Sequence, residues 1–412
     1  MQGQRGGKRG LCRFPPRFGQ WTDSASGLLL MERVGVASLC AVVTLAIGLA
    51  AAEASSPAPE QDAGWLDQQI LFHSGEASYF CFRIPALVAT SKRNIIAFAE
   101  ARRTNCADWD QIDLVTKRSD DGGKTWSPLR ILFHESMRSI NQPTPVLDSE
   151  TGILWLVFCK DNQQVFVAHS RDDGMTWSNP REITGQVKER SWKYVASGPG
   201  HGIQLKNGRL LVAAWGDASP GPAGWPPTWG ETEFTFTMFS DDHGETWQQG
   251  RPMYENLTEE GMVAETADGR VYMALRSLHE KKRRGYAWSE DGGYSWSRIH
   301  FDEALPDPPA EASILRIPAT GTGSEHRFLF ANPASAVDRT HLTVRMSEDD
   351  CQTWPISKVL YERSSAYSDL AAADGNTVLV LFEADDYSKL LLARFNLAWL
   401  TADTAGSGTV SH

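Results

Sequence analysis

The chain has 412 residues, 41% of them apolar, which is enough for a large core, and a formal net charge of −11. Six Lys/Arg against three Asp/Glu lie in residues 1–54, so the remainder carries −14. That balance argues against nucleic acid or an anionic membrane surface as a partner, and an acidic substrate would need a local cluster of positive charge.

In chain order, residues 1–30 are basic, Gly-rich and irregular, and read as an upstream extension with the effective start at Met31. Met31-Glu32-Arg33 precedes an uncharged run, Val34–Ala52, with small-residue cleavage sites around Ala50–Ala54. This pattern predicts a signal peptide over 31–54, hence a secreted or periplasmic protein. An uncleaved membrane anchor over 34–52 is the alternative, since the run is long enough to span. A Pro/Ala/Ser/Glu linker follows over 55–64.

From residue 65 to residue 400 the helical period is nearly absent. Strand-like runs bounded by Gly, Pro, Asn or Asp dominate, among them Ile95–Glu100, Ile112–Lys117, Ile153–Phe158, Arg209–Trp215, Phe234–Phe239, Val271–Leu275 and Thr377–Phe382. Between them one pattern, Ser-x-Asp-x-Gly-x-Thr-Trp, occurs at Ser119–Trp126, Ser170–Trp177 and Ser240–Trp247. It recurs at Ser289–Trp296 with Ser for Thr, and at Ser347–Trp354 with Cys351 for Gly. Each copy predicts a polar turn closing two strands: the Asp accepts from nearby backbone amides, the Gly supplies a positive φ, and the Trp packs on the sheet. Cys351 should weaken its turn if that position needs φ above zero. These residues read as scaffold.

Successive motif tryptophans are 51, 70, 49 and 58 residues apart, a period that points to a propeller or solenoid. The strand groups predict an all-β, six-bladed β-propeller over 65–400. Its last blade combines Asp369–Trp399 with a strand near Gln68–Phe72, so that the termini close the ring. Residues 401–412 read as a flexible tail. Cys81, Cys106, Cys159 and Cys351 follow the leader without metal-ligand spacing, and no metal or cofactor is implied. A Cys81–Cys106 disulfide and four free thiols both fit an exported chain.

Phe82-Arg83-Ile84-Pro85-Ala86-Leu87 opens the first strand group. Together with the five repeats, called Asp-boxes, it resembles the exo-α-sialidase (neuraminidase) family, over nearly everything from Trp65 to Leu400. The resemblance implies sialylated glycans as partners and removal of terminal α-linked sialic acid by a retaining mechanism. Sialic acid carries a carboxylate on its anomeric carbon, and planar carboxylates are gripped best by guanidinium forks. The family's three arginines match Arg83, Arg276 in VYMALR, and Arg345 in LTVRMS. A structural reading is strongest for Arg345, because Arg118 also stands just before a box. The same carboxylate would repel an attacking Asp or Glu, and sialidases with a Tyr nucleophile are a known exception among glycosidases. Tyr367 in SAYSDL matches that nucleophile, and Glu265, eleven residues before Arg276, matches its base.

Asp108, ten residues before Arg118, matches the general acid, with Asp110 and Asp113 as rivals. Glu383 in VLFEAD matches the acid that orients the first arginine, and Arg102 a further arginine near the sugar carboxylate. Transfer to another sugar acceptor, cleavage of a related acidic sugar such as KDN, and a non-catalytic glycan-binding propeller are the competing readings. His201 reads as a turn histidine. The aromatic loop Gly224–Gly230 reads as pocket rim or as cover for a blade edge. Asn256-Leu257-Thr258 is a glycosylation sequon in a eukaryotic secretory pathway.

Overall fold

The computed structural model describes residues 63–218, 232–255, 258–317 and 327–402. The expected extension, leader and most of the linker, the 224–230 loop, Asn256 and all but the start of the tail lie outside these residues.

Within the described residues the strands form six antiparallel blades. Blade one runs Cys81–Ala89, Ile95–Arg102, Ile112–Ser119 and Arg130–Phe133; blade two runs Ile140–Asp148, Ile153–Lys160, Gln164–Ser170 and Arg181–Glu182. Blade three has a broken first strand, Tyr194–Ser197 and Ile203–Gln204, followed by Leu210–Asp217, Glu233–Ser240 and Gln248–Gln249. Blade four runs Thr258–Glu265, Val271–Ser277, Arg283–Ser289 and His300–Pro306. Blade five, Ser313–Ile317, Arg327–Pro333 and Thr340–Ser347, shares its fourth strand with blade six. That long strand, Ile356–Ala372, pairs with blade five up to Ser364 and with Thr377–Ala384 of blade six from Ser365 onward. Blade six is completed by Lys389–Asn396 and, from the N-terminal side, Leu66–His73. The first strands of successive blades pack on one another, except that the first strand of blade four packs on Leu210–Asp217 and Glu233–Ser240 of blade three, and the blade-six strand returns to that of blade one, closing the ring.

The core lies between blades. Six apolar clusters each join two neighbours, for instance Trp155 and Val157 of blade two with Phe234 and Phe236 of blade three. The repeated turn explains this regularity. In the first copy Asp121 accepts from the Ser119 hydroxyl (2.8 Å), the Thr125 amide (2.9 Å) and the Thr125 hydroxyl (2.7 Å), while the Trp126 indole donates to the Gly123 carbonyl at 3.1 Å. At the third copy Gly244 has φ 91°, and a Cβ there would run into the Trp155 ring of the preceding blade. The turn therefore staples its own hairpin and lies flush on the next interface. Cys351 does occupy left-handed backbone, φ 64°. Its Trp354 indole donates to Asp302 at 3.2 Å, whereas the indoles of the first three copies, Trp126, Trp177 and Trp247, donate to the motif glycine carbonyl.

Candidate active site

Four first strands break register near the ring axis: between Arg83 and Ala86, Asn141 and Thr144, Thr258 and Gly261, and Ser365 and Ser368. A bulge bends the strand and re-aims its side chains. These four carry Arg83, Gln142, Glu260 and Tyr367, which line one cavity of about 230 Å³ together with Asp108, Arg276 and Arg339. Tyr194 and Trp215, with ring centroids 4.6 Å apart, form its aromatic wall.

Tyr367 stands at the centre. Its hydroxyl donates to Glu260 Oε1 at 2.6 Å and accepts from Arg276 Nη1 at 2.6 Å, and Arg276 Nη1 also donates to Glu260 Oε2 at 2.8 Å. The guanidinium groups of Arg83 and Arg339 each lie 5.3 Å from the Tyr367 ring centroid. Burial pushes the Tyr367 hydroxyl well above its usual range, although Arg276, Arg339 and Arg83 all favour the phenolate. A nucleophilic role at this position requires an adjacent proton acceptor, and Glu260 is in place for it.

Glu383 fixes the first arginine with a two-pronged grip, Oε1 on Nε at 2.9 Å and Oε2 on Nη2 at 3.1 Å. The same carboxylate accepts from the backbone amides of Ile84 (3.0 Å) and Tyr367 (3.2 Å), which sets clamp and tyrosine in one frame. Asp108 Oδ1 accepts from Arg102 at 2.7 Å and from Arg83 at 3.3 Å, and its side chain is 45% exposed at the cavity mouth. Burial raises its pKa, but Arg102 and Arg83 outweigh burial and hold the carboxyl below the ordinary range. Arg102 is itself buried and forked on Glu100, at 3.1 and 2.6 Å. A Cys81–Cys106 disulfide ties the Asp108 loop to the strand of Arg83, and the Cys106 carbonyl accepts from Arg102 at 2.5 Å. Cys159 and Cys351 are free and buried.

The structure thus brings together Arg83, Arg102, Asp108, Arg276, Tyr367 and Glu383. It separates two expected members. Glu265 lies at the far end of its strand, opposite Val271 at the hairpin turn, where it accepts from the Lys206 amide at 3.0 Å; partial burial raises its pKa. The carboxylate beside Tyr367 is Glu260. Arg345 lies inside blade five, donates to Asn332 Oδ1 at 2.8 Å, and burial lowers its pKa to about 10. The third guanidinium at the cavity is Arg339, just before the Thr340–Ser347 strand, held by the Pro309 carbonyl (2.5 Å) and the Tyr387 hydroxyl (3.1 Å). Asp110 caps its own loop through Thr104 and Asn105, and Asp113 is buried against Tyr79, Arg103 and His134. His201 bonds Asp369 at 2.7 Å, and Asp369 also receives the Leu87 amide, so the histidine joins blades as scaffold. Among the described residues no group of three or more His, Cys, Asp and Glu side chains could hold a metal ion.

A family model described as a BNR repeat-like domain matches residues 61–380. The chain is 31% identical over 392 residues to a sialidase of Micromonospora viridifaciens, which covers 88% of this chain and 59% of that protein. It therefore spans about three fifths of that relative's length. It is 28% identical over 375 residues to sialidase-2 of Rattus norvegicus, covering 81% of this chain and 96% of the relative. Among solved structures it is similar to the Hadza microbial sialidase Hz136, with TM-score 0.71, 27% identity, and coverage of 81% of this chain and 69% of that one.

Proposed function

This chain belongs to the sialidase family, and on that premise we propose that it hydrolyses terminal α-linked sialic acids of glycoproteins, glycolipids or oligosaccharides with retention of configuration. One observation carries the reading: a buried tyrosine hydroxyl bonded to both a carboxylate and a guanidinium, with two further arginines over its ring. Arg83, Arg276 and Arg339 take the sugar carboxylate. Glu260 Oε1 accepts the phenol proton as Tyr367 Oη bonds to the anomeric carbon, and the leaving oxygen takes a proton from Asp108. The substrate carboxylate, seated on Arg83, offsets the positive charge that holds Asp108 ionised and so favours its protonated form. Water then attacks the glycosyl–tyrosine bond, Asp108 takes its proton, and Glu260 returns one to Tyr367. The disulfide supports the further part of this reading, that the chain is exported.

The test is proton NMR of sialyllactose digestion by the purified protein and its Tyr367→Phe variant. The α-anomer of sialic acid should appear first, and the variant should lose normal turnover while keeping its fold. A β-anomer as first product, or a wild-type rate in the variant, would refute the mechanism. Sialic acid moving to added lactose in place of water would redirect the reading to transfer.

A further inference from the structure

Beside the catalytic carboxylate stands a second one that the mechanism does not use. Glu259 and Glu260 are consecutive strand residues and should point to opposite faces. The bulge between Thr258 and Gly261 cancels that alternation, and both reach Arg276 Nη1, Glu260 at 2.8 Å and Glu259 at 3.4 Å. Glu259 is fully buried, and among the described residues no N–H or O–H donor bonds either of its carboxyl oxygens. What faces it is the carboxyl of Glu233, also buried, from the third strand of blade three. Two carboxyl groups can hydrogen-bond only through a proton held between them.

We propose that Glu233 and Glu259 share a proton, and that Glu259 is a positioning residue which, while neutral, leaves Arg276 with Glu260 as its one full counter-charge and free to grip the substrate carboxylate. When the proton leaves, Arg276 is drawn between two anions and its hold on the substrate weakens. This rests on the sialidase reading for the identity of that substrate.

The charged and titratable groups around Glu259 set the direction. Burial raises its pKa first and Arg276 opposes; Glu233 and Glu260 raise it further, to about 8. Leu210–Asp217 contributes Asp217, opposite Glu233 in register. The stretch before Ser313–Ile317 contributes Glu311, which acts on Glu260's side, and Tyr367 lies beyond Arg276. A carboxyl raised in the folded state contributes stability that is complete below its ordinary value of 4.5 and is lost as pH climbs toward 8.

The experiment compares wild type, Glu259→Gln and Glu233→Gln in two ways: melting temperature from pH 4.5 to 9, and KM for a sialoside from pH 6 to 9.5. Wild type should lose melting temperature up to about pH 8, and Glu259→Gln should lose less. Wild-type KM should climb roughly tenfold above that pH, the size of a partly screened charge–charge term, with kcat changing less. The variants should then part in opposite senses. Glu259→Gln should keep KM flat, whereas Glu233→Gln, which lets Glu259 ionise more easily, should move the climb to lower pH. A purely structural role would not separate the two variants. Coincident melting profiles overturn the shared proton whatever the substrate is. Divergent melting with KM moving the same way in both variants overturns the link to Arg276. Divergent melting in a protein that cleaves no sialoside upholds the shared proton and defeats the sialidase reading instead.

Discussion

Exchanging the roles of two glutamates five positions apart gives the sharpest test of the site. Glu260 accepts the Tyr367 hydroxyl at 2.6 Å, and Glu260→Gln keeps the volume and the contact with Arg276 while removing the proton acceptor. Loss of a positioned general base costs about 10²–10⁴ in rate, or about 3–5 kcal/mol at 1.36 kcal/mol per tenfold. Glu265 accepts one backbone amide at 3.0 Å, at a strand end remote from the cavity. Its replacement by Gln should stay within about 0.5 kcal/mol, roughly twofold. The assay is steady-state release of 4-methylumbelliferone from its α-sialoside, with melting curves to show that both variants fold. The expected outcome is at least fiftyfold between the variants, with Glu260→Gln the slower, on the general-base scale above. Equal rates, or a more damaged Glu265 variant, would refute the reasoning that proximity to Tyr367 identifies the base.

Two further outcomes follow from the same geometry. Arg339→Met should raise KM for the sialoside about 10–100-fold, the worth of one charge-assisted contact, with little change in melting temperature; Arg345→Met should leave KM alone and cost about 1–3 kcal/mol of stability by stranding the buried Asn332 carbonyl. Gly244→Ala forces a Cβ into the Trp155 ring at a left-handed backbone position and should cost about 2–5 kcal/mol in urea unfolding; a loss under about 0.5 kcal/mol would show that the turn does not pack on the neighbouring blade as described.

Much of this molecule is legible in its sequence, because a propeller repeats one local solution. The Ser-x-Asp-x-Gly-x-Thr-Trp turns are self-contained networks spanning eight residues, so their spacing marks five of the six blades without any knowledge of long-range contacts. Closure by a strand near Gln68–Phe72 could also be read, since an unpaired last blade needs an edge partner, and Leu66–His73 fills that place. Motif position brings Arg83, Asp108, Tyr367 and Glu383 together around one cavity. Glu265 and Arg345, matched by motif spacing, lie away from it, because spacing does not say where their strands end.

Hairpin geometry accounts for both positions. A turn at Thr266–Arg270 puts Glu265 opposite Val271, so Arg276, near the other end of its strand, must face the beginning of Thr258–Glu265. Arg345 precedes the repeat turn by two residues, and those turns close the blade ends away from the cavity; the residue at the cavity end of that strand is Arg339. What pairing arithmetic alone would still miss is which of Glu259 and Glu260 meets Tyr367. Strict alternation allows only one of them on the Arg276 face, and the bulge admits both. The four bulged first strands are therefore the places where the period-two pattern stops predicting orientation and also the places that supply the cavity. Regular strands build the ring, and local departures from regularity turn charged side chains toward its axis.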